Sequence, residues 1–112
     1  MTTASSERRR DLRRSTRVPI RVRIEVQATG FACDGETITV NLHGALLKSS
    51  AELELGASVN LYVPLTGKSS SARVVFASRS EALHFGIALD RPENIWGISF
   101  PPQDWKDVET DR

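Results

Sequence analysis

At 112 residues the chain suits one domain and not two, and its 39% hydrophobic and 26% charged content is the balance of an ordinary globular protein. The net charge of +1, taken alone, argues against a general polyanion binder. No apolar run approaches about 18 residues, so no transmembrane helix is expected; the polar and basic opening 1–10 lacks the apolar core of a signal peptide; and one cysteine, Cys33, cannot close an internal disulfide and has no zinc spacing with His43 and His84. The expected compartment is a reducing cytoplasm.

Residues 1–7 are small and polar, and residues 7–16 are charged without an apolar face, so an isolated helix there is marginal. From Val18 a strand is expected: Val18, Ile20, Val22, Ile24 and Val26 alternate with polar neighbours through Gln27. Residues 28–35 read as a turn region, with Gly30 and Asp34-Gly35 as breakers. A short β-branched strand follows at 37–40. Residues 41–44 interrupt it, and Ala45-Leu46-Leu47 resumes an apolar run. Residues 49–56 form a linker. Residues 58–63 alternate again through Val59, Leu61 and Val63, residues 64–71 read as a loop, and residues 72–77 as a strand. Another strand spans 83–89, with Phe85, Ile87 and Leu89 on one face. A short apolar segment at 95–100 ends at Pro101-Pro102, and the tail from Trp105 is acidic.

Six or seven short strands, frequent turn signals and no long helix predict an all-β fold, a small antiparallel barrel rather than a sandwich, because closure removes exposed edges. The expected organisation is a flexible basic arm over 1–12, a barrel domain over 13–104 and an acidic tail over 105–112.

The charges are not mixed. Residues 1–23 carry eight arginines against Glu7 and Asp11, a net +6, and residues 24–112 carry a net −5. All the bases of the arm are arginine, whose planar fork can grip a phosphate or a guanine edge through two parallel hydrogen bonds. Arg8 to Arg10 read most simply as a solvated tail, whereas Arg13, Arg14 and Arg17 abut the first strand and are tethered by it. A body of opposite charge can also hold the arm until a better anion competes for it.

No catalytic constellation is visible, and the chain is not expected to be an enzyme. Cys33 sits beside an acid, Asp34, rather than beside the base that a thiolate nucleophile needs. Glu52/Glu54 and Asp107/Glu109 read as solvated surface, and there is no phosphate-loop, dinucleotide-fold or nucleophile-elbow motif.

The run Arg13-Arg14-Ser15-Thr16-Arg17-Val18-Pro19-Ile20, an RxxxR before a Val-Pro strand start, resembles the opening of a PilZ domain. Thr39 to Leu47 (TVNLHGALL) resembles the family's second signature, [D/N]xSxxG followed by small and apolar residues. His84 to Leu89 resembles its late barrel strand, and Trp96 to Pro102 resembles the close of some PilZ-like proteins. The resemblance covers roughly residues 9–104. It implies a small β-barrel and, in many members, binding of cyclic di-GMP, a bacterial second messenger, often as an intercalated dimer.

Carried over residue by residue, Arg13 and Arg17 match the two motif arginines that clamp phosphates and guanine edges. Guanine O6 and N7 accept a bidentate arginine at about 1–3 kcal/mol of discrimination. The further arginine that many members place before the motif is Leu12 here, and Arg14 is the candidate substitute. Aligning on Gly44 puts Thr39 at the acidic position and Asn41 at the serine position. Thr39 has no carboxylate for the guanine N1–H and N2–H₂ edge, a loss of about 1.5–3 kcal/mol, or roughly ten- to a hundredfold in affinity. Shifting the register to give Asn41 the acidic role brings Gly44 too early. Gly44 itself suits a positive φ, a close approach of ligand, or a bulge between strands. His43 is either a solvent-facing turn residue or a surface for guanine stacking, and Trp96 and Trp105 are core or lid packing.

The expected ligand is therefore cyclic di-GMP at Arg13, Arg14, Arg17, Thr39, Asn41 and Gly44, with no metal and no cofactor, and with an unidentified protein partner downstream. The alternative is a PilZ-like module that has lost the nucleotide and acts through protein contacts. Nonspecific nucleic-acid binding by the arm is disfavoured, because the body is acidic and few aromatics interleave with the arginines.

Overall fold

Alternating apolar residues on short strands leave one wet and one dry face, and the chain resolves this by rolling one antiparallel sheet closed. The computed structural model describes residues 15–105. Its strands are β1 (Val18–Pro19), β2 (Arg23–Ala28), β3 (Phe31–Asn41), β4 (Gly44–Ser49), β5 (Ser58–Val63), β6 (Lys68–Ala77) and β7 (His84–Leu89). Around the barrel, β2 pairs with β5, β5 with β6, β6 with β7, β7 with β4, β4 with β3, and β3 with β2 again. Six strands thus close the barrel, and β1 is an extra strand on β3. The expected all-β barrel is the observed fold. Among the described residues no helix is long and apolar enough to cross a membrane.

The core sits on the inward positions that the alternation marks. Ile24 and Val26 of β2, Val59, Leu61 and Val63 of β5, and Phe85, Ile87 and Leu89 of β7 are all buried. Trp96 and Trp105 join the same cluster from beyond the last strand. Trp105, expected to open the acidic tail, is only 1% exposed, so the packed body reaches past 104.

The ten-residue strand expected from Val18 is split. The Thr37 hydroxyl donates to the Ile20 carbonyl at 2.6 Å and accepts from the Val22 amide at 2.8 Å, standing where ladder bonds would otherwise run. Opposite this, β3 carries a bulge between Thr37 and Thr39. As a result β1 pairs with Thr39 and Val40, while β2 pairs with residues up to Glu36 on the same strand. The turn expected over 28–35 shrinks to Thr29-Gly30, and Cys33, Asp34 and Gly35 lie within β3. The loop expected to run to 71 ends at Gly67, because the polar run from Lys68 pairs with β5 from Val63 backwards.

Gly44 begins β4 opposite Ala88 of β7. It does not have a positive φ. Its constraint is close approach by the protein's own backbone: a Cβ there would collide with the Ile87 carbonyl oxygen. A backbone oxygen held in a ladder cannot swing aside, so Gly44→Ala is expected to cost about 3 kcal/mol, at the upper end for overpacking. Urea unfolding should show this as a lower midpoint with an unchanged slope.

Candidate functional site

The second signature forms the β3–β4 turn. Leu42 is driven into the core, and the chain on either side is held by hydrogen bonds. The Asn41 Oδ1 accepts from the His43 amide at 2.8 Å, closing a local Asx-type turn. The Leu42 amide donates to Ser15 Oγ at 3.2 Å, and the His43 carbonyl accepts from the Leu89 amide at 2.7 Å. Asn41 Nδ2 donates to the Ser15 carbonyl at 3.4 Å. The turn is therefore fixed to the segment that precedes Arg17 and to the end of β7.

Beside this turn the outer side of the barrel carries an open groove of about 530 Å³. Its floor is low because, in the neighbouring pairs Gly44 with Ala88 and Leu46 with Gly86 of β4 and β7, three of the four residues carry no side chain beyond a methyl group. Its far wall comes from β6. Strict alternation after Ala72 and Val74 would send Phe76 inward with them, but the register shifts between Val74 and Phe76. Val75 absorbs the shift, and Val75 and Phe76 both face out, 55% and 51% exposed. The Phe76 side chain lies down over Gly86; a Cβ at Gly86 would stand 2.9 Å from the Phe76 Cβ. The absent side chain is what lets the ring settle against the sheet.

Arg17, Thr39, Asn41 and Gly44 all line this groove. Thus four of the six residues expected from sequence come together. Arg13 and Arg14 lie outside the described residues. Arg17 is exposed and forms no ion pair among the described residues, so its guanidinium is available at the groove. Arg21 and Arg23 are not: they pair with Glu36, and with Glu25 and Asp34, on the outer surface of β2 and β3. These exposed pairs, at 3.5–3.6 Å, are worth at most about 1 kcal/mol each. His43 also lines the groove and is half-buried rather than fully solvent-facing. Among the described residues, Arg17 and His43 are the titratable ones that line it, and no group of three or more His, Cys, Asp or Glu could hold a metal.

The wall formed by Val75 and Phe76 escaped the sequence reading. The run at 72–77 reads as a plain strand, and only Gly86 within an otherwise apolar strand hints that something bulky lies across it.

The family model described as the PilZ domain matches residues 7–95. No curated protein matches the sequence. The structure is similar to the crystal structure of the PilZ domain of CeSA from a cellulose-synthesizing bacterium, with a TM-score of 0.55 and 19% identity. That match covers 86% of this chain and 94% of the other, and at this identity it speaks for the fold alone. The matched range takes in both signatures, the groove and every strand of the barrel, and the chain belongs to the PilZ domain family.

Proposed function

We propose that this domain is a receptor for cyclic di-GMP, which binds in the groove and is gripped there by the arginine segment. The observation that carries the reading is the convergence of Arg17, Thr39, Asn41 and Gly44, distant in sequence, on one groove. A volume of 530 Å³ falls within the range of about 300–1,000 Å³ usual for small-molecule sites. Arg17, free of ion pairs among the described residues, is placed to meet a phosphate or the O6/N7 edge of a guanine. Arg13 and Arg14 are the further arginines we assign to the ligand.

Thr39 weakens the site, since it has no carboxylate for the guanine N–H edge. Phe76 works in the opposite direction. An exposed ring at the groove wall offers a face for a base, and such stacking is worth about 1–3 kcal/mol per base, the same size as the contact that Thr39 forgoes. A dissociation constant in the low-micromolar range or weaker is the expected balance. The proposed output is the repositioning of the arginine arm on binding, read by a partner protein.

A second reading has an observation in its favour: Thr39 in place of the acid, beside the exposed apolar pair Val75 and Phe76, suits a domain that has given up the nucleotide and docks a protein. Titration calorimetry separates the two. Cyclic di-GMP should give heat with the wild-type chain, and Arg17→Ala should weaken binding at least tenfold. No heat, and no chemical-shift change at Arg17 near millimolar ligand, rejects the receptor and leaves the docking module.

Two further variants test the division of labour between Thr39 and Phe76. Thr39→Asp is expected to tighten binding ten- to a hundredfold, the reverse of the loss estimated for the missing charge-assisted contact. Phe76→Ala should weaken binding by about 1–3 kcal/mol while leaving the unfolding midpoint close to wild type, because the ring is half exposed.

A further inference from the structure

The described chain runs on past the matched family range, and this continuation returns to the root of the arginine segment. The Trp96 indole Nε1 donates to the Asn41 carbonyl at 2.9 Å. The Trp105 indole Nε1 donates to the Thr16 carbonyl at 2.8 Å. Asp104 Oδ2 accepts from the Thr16 amide at 2.9 Å and from the Thr16 hydroxyl at 2.8 Å. Thr16 therefore commits its amide, hydroxyl and carbonyl to two consecutive residues 88 and 89 positions further along the chain. It stands immediately before Arg17.

Thr16 is itself exposed, so the strength of this anchor comes from its partners. The Asp104 bonds are charge-assisted, and the Trp105 indole is 1% exposed and packed in the core. The second carboxylate oxygen, Asp104 Oδ1, is buried and has no hydrogen-bond partner among the described residues. A buried oxygen left so is costly. The carboxylate is held there nonetheless, at the root of a segment whose next residue is a groove arginine.

We propose that Asp104 and Trp105 are positioning residues for the groove: they fix Thr16, and through it hold Arg17 at the groove before any ligand arrives. The proposal rests on the reading of the groove as a dinucleotide site. Its physical content is preorganisation. Ordering one residue's backbone costs roughly five- to thirtyfold in affinity, and a site that has already ordered it avoids that loss on binding. Coupling of this kind is reciprocal, so a ligand that engages Arg17 also tightens the hold on Asp104 and Trp105. A partner that pulls the 104–105 segment away lowers affinity from outside the groove.

Amide hydrogen exchange, followed by NMR on the ligand-free chain, tests the anchor directly. The Thr16 amide should be protected in the wild type. Asp104→Ala should speed its exchange at least fivefold and leave Val26 and Leu61 in the barrel unchanged, while Asp104→Asn, which keeps an acceptor oxygen, should restore most of the protection. An unprotected Thr16 amide in the wild type, or one that Asp104→Ala leaves protected, overturns the anchor. Calorimetry with cyclic di-GMP tests the consequence. Asp104→Ala should bind about five- to thirtyfold more weakly through a larger entropic penalty, with its enthalpy near wild type. Equal affinity in the two chains overturns the positioning role while the groove reading stands. No heat with the wild-type chain overturns the groove reading itself, and the exchange result still decides the anchor.

Discussion

Asn41 spends its hydrogen-bonding groups on three different parts of the chain. Its Oδ1 closes the turn at His43, its Nδ2 reaches the Ser15 carbonyl, and its backbone carbonyl takes the Trp96 indole N–H. The turn is thereby locked to the segment before Arg17 and to the stretch beyond the last strand. A serine, the residue that the family signature has at this position, has a single side-chain oxygen and cannot serve the turn and the arm as two separate ends of one amide. The departure from the signature at Asn41 thus has a structural rationale. The departure at Thr39 concerns charge instead.

That constraint organises the site around it. With the turn fixed, Gly44 can lie against the Ile87 carbonyl, and β4 and β7 can close with Gly44, Ala88 and Gly86 along the groove. The bulge at Val75 then turns Phe76 over that floor. The groove is a place where the sheet has been left thin, with the Phe76 ring as one wall and, among the described residues, Arg17 at its side, rather than a cleft between two bodies. Among the described arginines the groove takes Arg17, whereas Arg21 and Arg23 are engaged with acids of β2 and β3.

What was legible in the sequence follows from where the information sits. Residues 58–63 could be read to the residue, because alternation alone fixes a strand with one wet face. Arg17, Thr39, Asn41 and Gly44 were legible as a set through the two signatures, and the groove brings them together. The split after Pro19 was not legible, because it depends on a hydroxyl at Thr37 acting on Ile20 and Val22 across the sheet. Phe76 was hidden for a related reason: one unpaired residue reverses the face of all that follow, and local pattern does not announce it. Trp105 was legible as a packing residue from its large apolar ring, although its charged neighbours put it at the head of an acidic tail, and its partner at Thr16 shows only in the folded chain.

The bonds between Thr16 and the pair Asp104–Trp105 also bring the two ends of the described chain out of the barrel at one place. Such ends let a domain be spliced into a larger chain or hung from one without distorting its core. They also decide how the domain meets mechanical load. A force pulling the two ends apart bears first on the hydrogen bonds of Ser15 and Thr16, and only afterwards on the ladders of the closed barrel. Tension would reach the root of Arg17 while the sheet beneath the groove was still whole.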